Sequence, residues 1–314
     1  MQGVNLAGGE FTGNKLPGVF HKDYFYPSAA DIQKFADIGM NTIRVPFLWE
    51  RLQPELNAPL SAPELSRLDG VMSAAGLQHM TVILDPHNYG SYRGKLIGSP
   101  EVPGKAFADF WSRIATHYKN EPFVVFGLMN EPNQQPAELW ASIAQSAVTA
   151  IRDTGAKQLI LVPGTGWSGA HSWNQKAGTL SNAEALAKLK DPAHNFAIEV
   201  HQYFDQDSSG THAACVNAHV GEMALSGMTA WLRTTGNRGF LGEFGSTGDP
   251  VCLSALRNTL LHMKKNADVW QGWTYWGASA WFGNYMFNIM PPDPVQHKQV
   301  LVLEEFLPHT PYHH

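Results

Sequence analysis

Ser28-Ala29-Ala30-Asp31-Ile32-Gln33-Lys34-Phe35-Ala36-Asp37-Ile38-Gly39 leads, one residue later, into Asn41-Thr42-Ile43-Arg44-Val45-Pro46-Phe47. The first stretch reads as a helix. Ser28 is placed to cap it, Gly39 to terminate it, and Ile32, Phe35, Ala36 and Ile38 largely share one face. The second is a short apolar, β-branched run, the signature of a buried strand. This helix-then-strand unit recurs along the chain. Strand-like runs occupy Gly3–Leu6, Asn41–Phe47, Thr81–Pro86, Phe123–Met129, Gln158–Val162, Phe196–His201, Gly239–Glu243 and Gln271–Trp276. Helical periodicity covers Ser28–Gly39, Ala62–Ala75, Gly104–Tyr118, Pro136–Thr154, Ala218–Thr235 and Val251–Asn266, with shorter stretches at Asn182–Leu189 and Pro294–Phe306. Strands alternating with helices imply a parallel sheet, and eight is the number that closes a (β/α)8 TIM barrel. An open doubly wound sheet is the alternative. No low-complexity linker, repeat or charge block divides the 314 residues, so one α/β barrel domain over 1–314 is expected.

Composition narrows the function classes. The net charge is −5 and no Lys/Arg run appears, so there is no basic field for nucleic acid, and a neutral substrate fits better than an anionic one. No stretch is long and apolar enough to suggest a membrane span. Met1-Gln2-Gly3-Val4-Asn5-Leu6 has neither a basic n-region nor an apolar h-region. Tyr312-His313-His314 is compatible with a native end or a tag remnant. Ten Trp is high for this length, and indole suits both cores and sugar rings. Cys215 and Cys252 lack CxxC spacing, which argues against a thiolate metal site. The residues alone leave a disulfide and two free thiols equally open.

Chemistry in such a barrel collects at the C-terminal ends of the strands. Those ends carry Arg44, His87, Asn130 with Glu131, His201 with Tyr203, Glu243 and Trp276. Glu131 and Glu243 each follow an apolar run, on the fourth and seventh strands, and so face each other across one mouth. Two carboxylates across a cleft are what glycosidic cleavage needs: one protonates the leaving oxygen, the other attacks or activates water. Asn130 can donate to a sugar 2-hydroxyl. Arg44 can hold Glu243 ionised through an opposite charge. Tyr203 can hydrogen-bond the Glu243 carboxylate, and His87 and His201 can bind hydroxyls or tune the carboxylates. Trp276 is expected to form a stacking floor under one ring. Trp167 and Trp173, in the loop after strand five, are expected to platform neighbouring rings. Trp111, Trp140 and Trp231 fall in helical patterns and read as core.

Ile43-Arg44-Val45-Pro46-Phe47, Asp85-Pro86-His87-Asn88-Tyr89, Leu128-Met129-Asn130-Glu131-Pro132, His201-Gln202-Tyr203-Phe204-Asp205, Gly242-Glu243-Phe244-Gly245 and Gly272-Trp273-Thr274-Tyr275-Trp276-Gly277 resemble, in order, the motif series of glycoside hydrolase family 5. Phe204 stands where that series usually has Leu, and Met286–Asp293 matches none of it. The resemblance implies Glu131 as general acid/base and Glu243 as nucleophile of a retaining enzyme, with carboxyls about 5–5.5 Å apart. It places Asn88 with Arg44, His87, Asn130, Trp167, Trp173, His201, Tyr203 and Trp276 among the sugar-binding residues. Asp85–Tyr92 and Phe204–His212 resemble the endoglucanase branch, which implies a β-1,4-glucan or cello-oligosaccharide substrate; β-mannan is the alternative. It further implies a Cys215–Cys252 disulfide, a cis peptide between Trp276 and Gly277, no cofactor or metal, a monomer, and secretion, since a polymer cannot enter the cell.

Other classes have weaker signals. Gly164-Thr165-Gly166-Trp167-Ser168-Gly169 matches GxGxxG after a strand, but Ala170-His171-Ser172-Trp173-Asn174 does not continue as an apolar helix face, as an NAD-binding oxidoreductase requires. Gly166-Trp167-Ser168-Gly169-Ala170 lacks the last Gly of a serine-hydrolase elbow. No strand carries the HxH of a metal hydrolase. A catalytically dead sugar-binding protein would not need both carboxylates.

Overall fold

The computed structural model describes residues 1–308; Tyr312-His313-His314 lie outside them. Eight parallel strands close a barrel: β1 Gln2–Leu6, β2 Thr42–Phe47, β3 Thr81–Pro86, β4 Val124–Gly127, β5 Ile160–Pro163, β6 Phe196–His201, β7 Gly239–Glu243 and β8 Trp270–Ala278. Each pairs with its neighbours in sequence, and β8 closes on β1 with Gly3 opposite Thr274. The fold is the (β/α)8 TIM barrel that the alternation implies, and the doubly wound alternative falls.

Side chains alternate across each strand. On β2, Ile43, Val45 and Phe47 join the large apolar layer under the helices, while Arg44 turns inward. On β3 and β4, Val82, Leu84 and Phe126 face out, and Ile83 and Val125 face in. Ile83, Val125, Leu161, Ala197 and Phe240 pack into an apolar plug inside the barrel. Toward the C-terminal strand ends the interior turns polar, with Asn5, Arg44, Asp85, Glu199, His201 and Glu243 all buried.

The helices follow local signals. Ser28 closes a capping box with Asp31 at the head of Ala29–Asp37, and Asp249 caps Pro250–Lys265. The last two periodic stretches shorten to Asn182–Leu186 and Lys298–Glu304. The largest difference from the sequence reading is at the fourth strand. Its ladder ends at Gly127 rather than Met129, and the chain peels away with Leu128 N–H still bonded to Leu161 and Asn130 N–H to Pro86. It then turns at Glu131, whose φ is +42°, ahead of Pro132. Two small elements have no periodic signal: the helix Trp49–Leu52 and the hairpin Ser91–Tyr92 with Lys95–Leu96. Among the described residues, no helix is long and apolar enough to cross a membrane.

Candidate active site

Arg44 organises the mouth of the barrel. Its side chain is 1% exposed, and one guanidinium nitrogen lies 2.9 Å from Glu243 Oε1, 2.9 Å from Asp85 Oδ2 and 2.9 Å from Asn5 Oδ1. The other terminal nitrogen donates to Asn130 Oδ1 at 3.0 Å. A planar fork with several fixed donors can address four strands at once, as a Lys point charge cannot. Asn5 is locked in turn by donating to the carbonyls of Gly242, Thr274 and Tyr275.

The Glu243 carboxylate takes Arg44 on one oxygen and the Tyr203 hydroxyl on the other, at 2.7 Å. Burial pushes its pKa up, and the charge of Glu131 adds to that; His201, Arg44 and His87 work in the opposite direction. His201 sits between the two catalytic candidates. Its Nδ1 is 2.7 Å from Glu131 Oε1 and 3.6 Å from Glu243 Oε2, and its Nε2 is 3.3 Å from Glu199 Oε1. Burial opposes a charge on this ring, but Glu243, Glu131 and Glu199 outweigh it and push His201 up to about 10. When protonated, the ring donates at both nitrogens. Glu131, Glu243 and His201 each bring one polar atom to within 4.8 Å of the other two. One carboxylate oxygen of Glu131 thus lies within 4.8 Å of one of Glu243, which is not compatible with a gap near 9 Å.

A second chain of contacts positions Asn130. Asp85 Oδ2 lies 2.7 Å from His87 Nδ1, and His87 Nε2 faces the Asn130 amide nitrogen at 3.2 Å. Burial opposes ionisation of both members of the Asp85–His87 pair. Arg44 holds Asp85 below the usual carboxylate range all the same, and Asp85 raises His87. The His87 ring stacks on Trp276, centroids 5.3 Å apart and 15° from parallel. The half-buried Trp276 precedes Gly277 through a cis peptide, as the family motif implies.

The cleft has two halves that share Glu131 and Tyr203. One is lined by His87, Tyr89, Glu243, Trp276, Tyr285 and Met286. The other is lined by Thr165, Trp167, His171, Lys176, His201 and Asp207, among others. Trp167, 57% exposed with φ +57°, stands on the second wall. The GxGxxG stretch forms that wall too. It makes only a three-residue turn, Gly166–Ser168, and no helix long enough to receive a pyrophosphate follows it.

Two expected sugar contacts are corrected. Trp173 is 1% exposed and packs edge-on to Trp231 at 5.3 Å, so it has no free face to offer a ring. Asn88 has both ends of its amide engaged, donating to Glu50 Oε2 and accepting from the Trp49 N–H. It ties the Trp49–Leu52 helix to the loop after β3 and does not line the cleft. Trp111 and Trp140 are fully buried, as expected, with Trp231 at the edge of the core.

The sequence reading missed Asn5, Asp85 as an acceptor, and Glu199. For Glu199 the signal was present: a carboxylate in an apolar strand two residues before His201 shares its inward face. It also missed Phe287, whose ring stacks on Tyr203 at 5.9 Å, because its loop matches no motif. Cys215 and Cys252 are bonded, joining the loop after β6 to the first turn of the helix Pro250–Lys265. Asp205, Asp207 and His212 are grouped as metal ligands would be. Asp205 there is already engaged by the N–H groups of Gly210, Thr211 and His212.

Comparisons agree with this geometry. Residues 2–279 match the family described as Cellulase (glycosyl hydrolase family 5). Endoglucanase gh5-1 of Neurospora crassa is 39% identical over 292 residues, covering 92% of this chain and 72% of that protein. The structure of XacCel5A in complex with cellopentaose superposes with a TM-score of 0.95 at 51% identity, covering 97% of this chain and 98% of that one. The endo-beta-1,4-glucanase Xac0029 from Xanthomonas axonopodis pv. citri gives 0.94 at 44% identity, covering 98% and 99%. The chain belongs to glycosyl hydrolase family 5, the cellulase family.

Proposed function

We propose that the chain is a retaining endo-β-1,4-glucanase that cuts cellulose-type glucans and cello-oligosaccharides in two displacements. The observation that carries the reading is the close approach of Glu131 and Glu243 across one cleft, oxygens within 4.8 Å. Retaining enzymes have carboxyls about 5–5.5 Å apart, whereas inverting ones leave about 6.5–9.5 Å for a water. Glu243, held by Arg44 and Tyr203, is the nucleophile. It bonds to the anomeric carbon as the leaving oxygen takes a proton from Glu131. Glu131 then draws a proton from water, which cleaves the glycosyl–Glu243 ester. Asn130 has a second amide proton free for the sugar 2-hydroxyl. Trp276 supplies the ring floor on one side of the cut, and Trp167 a platform on the other.

Glucan is proposed over mannan because the relatives are named endoglucanases and one solved neighbour holds cellopentaose. Secretion is supported by the disulfide, which persists in oxidising surroundings. We propose a monomer that needs no cofactor, nucleic acid or membrane. Reducing-sugar release from carboxymethylcellulose and from mannan, measured side by side, tests the substrate, with glucan preferred. NMR of the first product tests the stereochemistry. The β-anomer should appear before mutarotation, and an α-anomer would overturn the double displacement.

A further inference from the structure

The barrel interior holds a carboxylate that the two displacements do not use. Glu199 lies on β6 and is 1% exposed. Its Oε1 is 3.3 Å from His201 Nε2 and 3.1 Å from Arg44 Nε. Space is reserved for it: a Cβ at Gly242 would fall 2.1 Å from this oxygen, so the residue before Glu243 has to be glycine for Glu199 to stand where it does. Taking a carboxylate out of water costs several kcal/mol unless partners compensate, so this one calls for a reason.

We propose that Glu199 is a positioning residue for proton transfer: by accepting Nε2–H it keeps His201 doubly protonated, with Nδ1–H aimed at Glu131. The carboxylate created when Glu131 gives up its proton is then met by a cation already in place. This rests on the reading of Glu131 as acid/base.

The geometry favours a double donor. His201 has a carboxyl oxygen at each nitrogen, and once Glu131 is ionised a neutral imidazole, with its one N–H, can serve only one of them. The charged groups around the ring point the same way. Glu131 comes from the segment after β4, Glu199 from β6 and Glu243 from β7, and Asp85 reaches the ring electrostatically from β3; the Arg44 guanidinium on β2 stands against them. From the β5 side the contacts are backbone, with Gly169 bridging His201 and Ala170 N–H bonded to its carbonyl. The upward shift of His201 supports this arrangement.

In the first displacement the bond from the anomeric carbon to the leaving oxygen breaks, the bond to Glu243 forms, and one proton passes from Glu131 to the leaving oxygen. His201 neither gains nor loses a proton. It stabilises the new negative charge on Glu131 through the Oε1 contact, which makes Glu131 a stronger acid at the moment of transfer. Without that cation, cleavage should slow most for leaving groups that need the proton.

The test is Glu199→Gln in the full chain, which keeps shape and removes charge. In wild type, nitrogen NMR should find both ring nitrogens of His201 protonated at neutral pH. In the variant its titration should fall by about one unit or more, the direction expected when a facing carboxylate is lost. Kinetics are then read one unit above the variant's own titration point. There kcat on a cello-oligosaccharide should drop by about tenfold or more, a fraction of what general acid catalysis supplies, with KM little changed. An aryl cellobioside with a dinitrophenolate leaving group, which needs no proton, should keep most of its rate. A neutral His201 in the wild type, an unmoved titration in the variant, or equal losses on both substrates would overturn the proposal; the first holds even if the variant does not fold. Glu131→Gln serves as the control. If it keeps oligosaccharide hydrolysis, the acid/base assignment has failed; if it loses it while Glu199→Gln behaves as wild type, only the role of Glu199 has failed.

Discussion

Replacing Tyr203 by Phe deletes one oxygen and little else. The hydroxyl donates to Glu243 Oε2 at 2.7 Å, and the ring beneath it is held by its stack with Phe287, which a Phe keeps. A hydrogen bond to a charged group contributes about 1.5–3 kcal/mol, and 1.36 kcal/mol corresponds to one pKa unit. Glu243 is already raised by burial. Losing a donor to its ionised form raises it further, by about 1–2 units at this exchange rate. With Glu243 as the proposed nucleophile, the acid limb of kcat/KM reports its ionisation in the free enzyme and should therefore move up by that amount. Below the limb the variant should be about 10- to 100-fold slower, one decade per unit, while the plateau changes much less. A pH profile on a soluble cello-oligosaccharide reads this directly, with melting temperature as the check on folding. An acid limb that stays in place would refute the assignment of Tyr203 as a partner of the ionised nucleophile.

Four further outcomes are predicted. Trp167→Ala should raise KM for long oligosaccharides by about 2- to 12-fold, the worth of an aromatic contact, and leave short aryl substrates unaffected; Trp173→Ala should instead cost about 3–5 kcal/mol of stability as a buried truncation, read by denaturant titration. Removing the Cys215–Cys252 bond, which spans 37 residues, should cost about 4 kcal/mol of chain entropy, or a melting temperature lower by about 6 °C for a chain of this size. His201, raised to about 10, should stabilise the fold most below its unfolded value near 6.5, and that contribution should fade as pH climbs toward 10; its upper bound is about 5 kcal/mol. Wild type should thus lose more stability between those pH values than His201→Asn does, and parallel pH curves would contradict the charge assigned to the ring.

The alternation of helix and strand was legible because each strand is buried on both faces and each helix on one, which forces compact apolar runs between amphipathic ones. Strand ends were legible where a polar residue closes such a run, as at His201 and Glu243; Arg44 interrupts its run too, but β2 continues past it to Phe47. At the fourth strand this logic overshot. Leu128 and Met129 are apolar and buried yet outside the ladder, because the segment packs as it turns toward Glu131. Trp173 was misassigned because Gly, Ser and Asn around it suggest a surface loop, while Trp231 and the core cover it from elements far along the chain. Asn88 was misassigned because its motif neighbours His87, and adjacency along the chain does not say which way an amide turns. Glu199 went unread because an inward carboxylate is tolerable only with partners, and both of them, Arg44 and His201, become partners only once the barrel closes.

That dependence on closure also bears on how the enzyme comes into being. Arg44 meets Asn5 from 39 positions away, Asn130 from 86 and Glu243 from 199. During synthesis the N-terminal strands emerge first, at about 5–20 residues per second, so the guanidinium waits on the order of ten seconds or more for the Glu243 carboxylate it will hold. No half-barrel can rehearse the reaction. Hydrolysis should switch on in a single step as the seventh and eighth strands dock and β8 closes on β1, so activity serves as a clock for barrel closure that needs no attached probe.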